Sequence, residues 1–561
     1  MASSALAGLA PAPLHVRWLG RVHYDEAWQL QRALVGGARN HLLLLEHPPV
    51  FTLGRSADPA NLLVDPAEHG AIVRDVDRGG DVTVHAPGQL VGYPIVTVPG
   101  RGGLAGTAVF VESIEQLLID TLADLGLAGA GSLAGYTGVW LDADSDAPRK
   151  IAAIGVRIKR TRSLHGFALN VDVDHAWFDR LVPCGIPDKA VTSLRAEGID
   201  ATMNDVVDAL VARVEGMWDT GTIDRADVAW KHLPEDLSAF SRGLGPGETP
   251  KLEKPTGTPV RLLGRLERAG VDSGLDIGAA KPEWMKVKAN LGPDYIRLKS
   301  VMRDLELTTV CEEAGCPNIF ECWDDGTATF MINGERCTRA CGFCLVDTRK
   351  PEPLDDDEPR RVAEAVEKLG LNYAVITTVA RDDLADHGAS GFVNTAAAIR
   401  DRLPDCSIEY LISDCKGDTA ALDAIFASRP SVLNHNIESV ARLQRAVRPS
   451  AGYARSLAVL ARAKAAGLTT KSSIIVGMGE EIDEVRGTLA DLAGIGVNIV
   501  TIGQYLRPTT NHLPIHRWWH PDEFAELKAY GESLGIDHVE SSPLTRSSYH
   551  ARAAEEAATG S

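Results

Sequence analysis

Six cysteines fall within thirty-four residues of this chain, and their spacing limits what that stretch can be. Cys311, Cys316 and Cys322 read C-x4-C-x5-C, and Cys337, Cys341 and Cys344 read C-x3-C-x2-C. Zinc usually takes four protein ligands in paired C-x2-C blocks, and neither triplet provides such a pair. Disulfides need an oxidising compartment, and nothing upstream looks like an export signal. A four-iron cube needs one external ligand per iron, so three thiolates hold three irons and leave the fourth open to a small molecule. This part of the chain reads as an iron–sulfur protein.

At 561 residues the chain is too long for one ordinary core, and two or three domains are expected. A hydrophobic content of 45% with 24% charged residues is that of a soluble globular protein. The formal net charge of -19 argues against nucleic acid or an anionic membrane surface as partner. The opening MASSALAGLAPAPLHV lacks the charged start and long apolar stretch of a secretory signal, and a cytoplasmic location is expected. Residues 231–257, rich in Pro, Gly, Lys and Glu, read as a linker between domains at 1–230 and 258–561.

After the second triplet, strand-like and helix-like runs alternate. Strands are expected at 327–332, 373–380, 407–412, 432–437, 470–476 and 498–505. Between them lie helical patterns such as Val362, Ala365, Val366 and Leu369. Six such units predict a partial barrel with its chemistry at the C-terminal ends of the strands. CTRACGFC carries the signature of radical S-adenosylmethionine enzymes. With CEEAGCPNIFECW, VARDDLADHGA, VLNHNIESV, TKSSIIVGMGE and RSSYHA it resembles the lipoyl synthase family over about 300 residues.

The resemblance implies two [4Fe–4S] clusters. One is held by Cys337, Cys341 and Cys344 and binds S-adenosylmethionine; the other is held by Cys311, Cys316, Cys322 and Ser548. It implies reductive cleavage of S-adenosylmethionine to a 5′-deoxyadenosyl radical. Sulfur is then inserted at C6 and C8 of an octanoyl chain on a lysine, and the second cluster is consumed. An alkoxide such as Ser548 is more easily displaced from iron than a thiolate, which suits a cluster that gives up sulfur. Asn436, Glu438 and Lys471, at or near expected strand ends, are candidate contacts of S-adenosylmethionine, and each could equally be a structural polar residue. Cys406 and Cys415 match no cluster motif and read as idle thiols; His387 reads as a loop residue.

In the first domain, residues 41–45 read as a buried strand and 109–127 as one amphipathic helix. Residues 149–160 and 163–172 read as two further strands. Cys184, between Pro183 and Gly185, is ambiguous on its own: a lone Cys is more often a small buried residue than a nucleophile. EHPPVFTLGR, RGGDVTVHAPGQ, RKIAAIGVRI, HGFALNVD and PCGIPDKAVTSL change that, because in this order they resemble the octanoyltransferases of lipoate synthesis.

That resemblance implies a biotin/lipoate-ligase-like α/β domain built on a mixed sheet. It makes Cys184 the residue that takes octanoate from acyl carrier protein as a thioester, with Lys150 stabilising its thiolate. It implies substrate-lining segments Arg78, Gly79, Gly80, Asp81, Val82, Thr83, Val84 and His85; Ala153, Ile154 and Gly155; and Gly166, Phe167 and Ala168. Val84 and Ala86 depart from the family's usual Tyr and Gly, and Ala86 would strain a turn that needs positive φ.

The combined expectation is a fused enzyme of protein lipoylation. Its partners would be octanoyl-acyl carrier protein, the lipoyl domains of 2-oxoacid dehydrogenases, the glycine-cleavage H protein, and a low-potential electron donor of ferredoxin or flavodoxin type. Two other readings stay open at this point. One is a ligase-like docking domain fused to a non-catalytic iron–sulfur protein; the other is an ATP-dependent lipoate ligase in the first half.

Overall fold

The computed structural model describes residues 12–98, 104–182, 189–228, 260–275, 279–286, 300–303, 305, 307 and 327–559. The chain divides into two compact units, Met1–Lys231 and His232–Ser561. The expected linker at 231–257, the first cysteine triplet and Cys184 lie outside the described residues.

The first unit is built on strands β1 (Leu14–Arg21), β2 (Asn40–Glu46), β3 (Val50–Leu53), β4 (Ile72–Asp75), β5 (Val82–His85), β6 (Gln89–Ile95), β7 (Ala130–Leu133), β8 (Tyr136–Leu141), β9 (Arg149–Lys159), β10 (Arg162–Asn170), β11 (Ala190–Val191) and β12 (Ile223–Asp227). Its main sheet runs β12-β1-β2-β6-β10-β9-β8-β7, with β11 added beside β9, and a smaller sheet runs β4-β3-β5. β1 is parallel to both its neighbours, whereas β2, β6, β10 and β9 pair antiparallel, so the sheet is mixed.

Helices α1 (Tyr24–Leu34), α2 (Leu104–Asp124) and α3 (Met203–Val214) complete this unit. Apolar residues at helical spacing on α2 (Phe110, Ile114, Leu117) and α3 (Val207, Leu210) bury with Val16, Leu42, Leu90 and Leu169 of the sheet. Each such side chain contributes about 1.5–3 kcal/mol by leaving water. Thr202 and Asp205 form a capping box that fixes where α3 begins.

In the second unit seven parallel strands follow one another in sequence order: β13 (Thr327–Ile332), β14 (Tyr373–Thr378), β15 (Ser407–Leu411), β16 (Val432–Asn434), β17 (Thr469–Val476), β18 (Ile499–Gln504) and β19 (His538–Ser541). The sequence predicts the first six. β19 is added at the edge of the sheet: its four residues are too few to show alternation, and a Ser-Ser-Pro run ends them.

Helices α4 (Glu358–Leu369), α5 (Ala389–Arg402), α6 (Thr419–Ala427), α7 (Tyr453–Ala465), α8 (Ile482–Gly494), α9 (Pro521–Ser533) and α10 (Ala551–Thr559) accompany the sheet. Val362, Ala365 and Val366 of α4 bury against Phe330, Ile376 and Tyr410 on one face of the sheet, with Leu369 partly buried beside them. Because side chains alternate along a strand, the other face carries Thr329, Met331, Thr377, Leu411, Ser473 and Ile475, which line a cavity. α10 closes that inner face at its N-terminal end. Ala551 packs on Tyr373 and Val375, and Ala554 packs on Val432 and Ile499.

Candidate active sites

The inner cavity of the second unit has a volume of about 390 Å³ and lies toward the C-terminal ends of the strands. Cys337, Cys341 and Cys344 all line it, on the loop that follows β13. That loop is pinned at several points. Thr338 N and Oγ1 both donate to Ala380 O (3.0 and 2.9 Å), just past β14. Gly342 N donates to Val447 O, Leu513 N donates to Gly342 O, and His512 Nε2 donates to Cys344 O.

Arg339, inside the cysteine motif, is 6% exposed. Its Nε and Nη2 donate to the two oxygens of Asp382, each at 2.8 Å, and Nη2 also lies 2.6 Å from Asp414 Oδ1. Burial opposes this charge, but Asp414 and Asp382 hold its pKa above the usual arginine range. Burial likewise pushes Asp414 up, yet Arg339 and Arg455 pull it below the usual carboxylate range.

The backbone amides of Ala380 and Arg339 donate to Cys337 Sγ at 3.3 and 3.4 Å. Burial, with Cys341 nearby, raises the Cys337 thiol pKa, and these amides oppose the rise. Amides aimed at a sulfur are among the groups that tune an iron–sulfur centre. Among the described residues no three His, Cys, Asp or Glu side chains converge on one point as a single zinc ion requires. A four-iron cube makes no such demand, since each thiolate meets its own iron.

The same cavity holds unsatisfied polar atoms. Asn436 Oδ1, Glu438 Oε2 and Arg448 Nε are buried without a protein hydrogen-bond partner, and all three residues line the cavity. Asn436 Nδ2 donates to Glu438 Oε1, and Arg448 Nη1 donates to Asn436 O. Glu438 has φ 67°, the left-handed region a non-glycine residue enters at a cost, and burial raises its pKa against the pull of Arg448 and Asn436. Such orphaned atoms suit a small zwitterionic ligand beside the cysteines, so the residues present fit a cube with one open iron and S-adenosylmethionine beside it.

Ser548 lines the cavity too, with Arg546 and Ser547. This segment reaches it because β18 carries Gly503: a Cβ there would sit 2.0 Å from Thr545 O. α10 then turns away to close the other end of the inner face.

Lys471 lies apart from Asn436 and Glu438. It is fully buried near the start of β17, at the end of the sheet opposite the cysteines, and is not among the cavity-lining residues. Its Nζ is 3.1 Å from both oxygens of Glu409, which also accepts from Tyr373 Oη (3.0 Å) and Asn434 Nδ2 (2.9 Å). A lysine so committed is a structural partner of Glu409.

In the first unit a smaller pocket of about 60 Å³ is lined by Arg78, Gly79, Gly80, Asp81, Thr83 and His85. Residues 153–155 and 166–168 face it from β9 and β10, and Tyr24, Tyr93 and His165 complete it. Val82 and Val84 do not line it. Strand alternation turns them into a separate core with Phe51 and Leu181, where they are 0% and 1% exposed. Ala86 is not among the residues with positive φ; Gly88 takes that conformation at φ 89°, so the departure at Ala86 brings no strain. The glycines serve backbone packing around the pocket: a Cβ on Gly166 would lie 2.0 Å from Gly92 O.

Arg78 holds the glycine-rich turn by donating Nη2 to Thr52 O and Oγ1, at 2.7 and 2.9 Å. Burial lowers the His85 pKa to about 4 against the effect of Gln89, so its imidazole is neutral at pH 7. His85 Nδ1 donates to Gln89 Oε1, Gln89 Nε2 to Asn170 Oδ1, and Asn170 Nδ2 to Thr192 O. Thr192 N donates in turn to Lys150 O. Lys150 is 8% exposed, and its ammonium lies 4.7 Å above the Trp140 ring. The segment carrying Cys184 is bracketed by Val182, whose N donates to Asn61 O, and by Val191, which pairs with Lys150. Asn61 Nδ2 donates to Asp81 on the pocket wall.

Comparison with known proteins follows the same division. Residues 23–215 match the lipoyl protein ligase A/B catalytic domain, residues 276–316 the N-terminal domain of lipoyl synthase, and residues 331–493 the radical SAM superfamily. The lipoyl synthase of Mycolicibacterium smegmatis is 53% identical over 291 residues, 52% of this chain and 92% of that one. That of Mycobacterium leprae is 53% identical over 300 residues, 54% of this chain and 94% of that one. A bipartite lipoate protein ligase from Thermoplasma acidophilum, solved in a study of that ligase and its E2 lipoyl domain, overlaps 39% of this chain and 88% of its own at 14% identity, with a TM-score of 0.32. The chain belongs to the lipoyl synthase family of radical SAM proteins and carries a lipoyl protein ligase A/B catalytic domain ahead of that part.

Proposed function

We propose that the chain performs two consecutive steps of protein lipoylation. The first unit transfers octanoate from acyl carrier protein to a lysine of a lipoyl-carrier domain. Cys184 thiolate attacks the acyl thioester and releases the carrier thiol. The lysine amine then attacks the Cys184 thioester, forming an amide and returning the thiol. Exchange between thioesters is nearly isoenergetic, and amide formation carries the sequence forward. The Lys150 ammonium, held against Trp140, favours the thiolate at Cys184. The chain of donors from His85 through Gln89 and Asn170 to Thr192 ties the pocket floor to the backbone of Lys150.

The second unit then inserts two sulfurs into the octanoyl chain. Cys337, Cys341 and Cys344 would hold one cluster, and Cys311, Cys316, Cys322 and Ser548 a second; together they supply the electron that cleaves S-adenosylmethionine and the sulfur that is inserted. The protein's own part is positional. Arg339 fixes the cysteine loop to two strand ends, and Asn436 and Glu438 offer polar atoms to S-adenosylmethionine. Met331, Leu411 and Ile475 give the octanoyl chain an apolar wall that excludes water. One observation carries this reading: the three cysteines, Ser548 and the orphaned atoms of Asn436 and Glu438 meet in one cavity at the C-terminal ends of parallel strands.

The test is anaerobic reconstitution of the full chain with octanoyl-acyl carrier protein, an unmodified lipoyl domain, S-adenosylmethionine and a low-potential reductant. Weighing the domain should reveal first an octanoyl adduct and then two added sulfurs, with release of 5′-deoxyadenosine. The Cys184→Ala chain should form no octanoyl adduct. If it did so with free octanoate and ATP, the first unit would be a ligase. Cleavage of S-adenosylmethionine without sulfur gain would remove the second assignment.

A further inference from the structure

Lys150 owes its place to a fault in the sheet. Where β8 passes β9, Val139 stands opposite Ala152 and the next residue, Trp140, stands opposite Lys150, so Ile151 is an extra residue on β9. A bulge of this kind re-aims the side chains beside it. The pairing of β7 with β8 shifts close by, between Ser132 and Leu133. Neighbouring faults in a ladder need something to hold them.

Glu115 of α2 holds both. It is 9% exposed, and its carboxylate accepts from Gly138 N at 2.8 Å and from Ser132 Oγ at 3.0 Å, one bond to each disturbed strand. Gly138 sits at φ 124°, which glycine adopts readily. A Cβ there would lie 2.5 Å from Ala152 O and 3.3 Å from Lys150 Cε. The lysine stem thus crosses β8 where the strand has no side chain.

The stem leads to an aromatic face. Lys150 Nζ lies 4.7 Å from the centre of the Trp140 ring. The ring is itself fixed: its Nε1 donates to Tyr136 O at 3.1 Å, Tyr136 meets it edge-on at 6.0 Å, and Trp140 is 1% exposed. Lys150 is 8% exposed, so its ammonium has lost most of its water, the setting in which the negative face of an indole attracts a cation most strongly. A chance contact between ladder neighbours would need neither the bulge, nor the missing Cβ, nor the buried carboxylate behind them.

We propose that Trp140, set opposite Lys150 by the bulge that Glu115 holds, is a positioning residue of the acyl transfer: its ring face keeps the Lys150 ammonium in one place. This rests on the acyl-transfer reading above. The test follows single-turnover loading of the full-length chain by octanoyl-acyl carrier protein, read by mass over a range of pH. In Trp140→Leu loading should slow by about tenfold, with the half-saturating carrier concentration nearly unchanged. The acid limb of the pH profile should move to higher pH, because a wandering ammonium stabilises a thiolate less. Trp140→Phe, which keeps a ring face, should recover most of the rate. In a Lys150→Ala chain, Trp140→Leu should change nothing further.

An unchanged rate and profile in Trp140→Leu, or the same loss with and without Lys150, overturns the role. Should Trp140→Leu not fold, successively fluorinated tryptophans at position 140 weaken the ring face while keeping its shape. The limb should then climb with fluorination, and a flat response overturns the role. If the unsubstituted chain takes up no acyl group, the acyl-transfer reading fails on its own. The positioning is then judged by labelling of Lys150 with an activated acetate ester, read by peptide mass. Several-fold faster labelling in Trp140→Leu supports it, and an equal rate overturns it.

Discussion

Arg339 carries more of the second site than a residue between two cysteines suggests. Its guanidinium is buried between Asp382 and Asp414, and Asp414 is 0% exposed. Removing one partner of such a group strands a charge, at a cost of roughly 3–5 kcal/mol. Arg339→Gln should therefore destabilise the cysteine loop by about that amount and lower the iron retained after anaerobic reconstitution. Arg339→Lys should recover little, because a point charge cannot span two carboxylates as a planar fork does. Iron content with the thermal midpoint checks both, and full iron in Arg339→Gln would refute the role. Lys471 is the converse case. Its place near an expected strand end left a ligand contact and a structural role equally open, and its position third in β17 puts it at the end of the sheet away from the cysteines, where it pairs with Glu409. Which end of the strand a residue occupies is what separates those two readings.

At the level of elements, β18 and the segment before α10 act together. Gly503 has no Cβ, and Thr545 O occupies the place where one would be. Gly503→Ala must push residues 545–548 away from the cavity, whereas the cysteine loop follows β13 at the opposite edge of the sheet and keeps its contacts with Ala380 and Asp382. The expected result is near-normal release of 5′-deoxyadenosine with loss of most sulfur insertion, measured in one assay by chromatography and by carrier mass. Equal loss of both would place the defect in folding instead. Most of this architecture is legible in the sequence. Strands β13 to β18 announce themselves as apolar runs bounded by Gly, Pro and Asn, and the cysteine spacing marks the loop after the first of them. The rest is hidden because it depends on alternation and on distant contacts. Val82 and Val84 sit within a pocket-forming stretch yet point away from the pocket, and His165 becomes a wall only through Asp77 and Trp28, far from it in sequence.

For the whole molecule, buried titratable groups set the two units apart on acidification. The first unit buries His47, lowered to about 3, and His85, lowered to about 4, their rings 5.6 Å apart; burial is the leading cause in each. His165, lowered to about 3, adds to them. A histidine whose folded pKa lies below its unfolded value near 6.5 binds its proton only on unfolding. Its contribution is intact above pH 6.5 and is lost as pH falls toward the folded value. Each costs on the order of 3 kcal/mol at completion, and neighbouring rings titrate together.

The second unit has His435, lowered to about 4, but also Glu438 and Glu480, both raised by burial. Those carboxyls bind protons more readily when folded, so their contribution improves as pH falls and offsets part of the histidine loss. Between pH 6.5 and 4.5 the first unit should therefore lose protection before the second. Hydrogen exchange corrected for intrinsic rates should reveal β2, β5 and β6 opening at pH 5 while β14 to β18 stay protected. His47→Gln, which keeps a donor for Val22 O, should move that opening to lower pH. Simultaneous opening of both units, or the second unit opening first, would contradict this ordering.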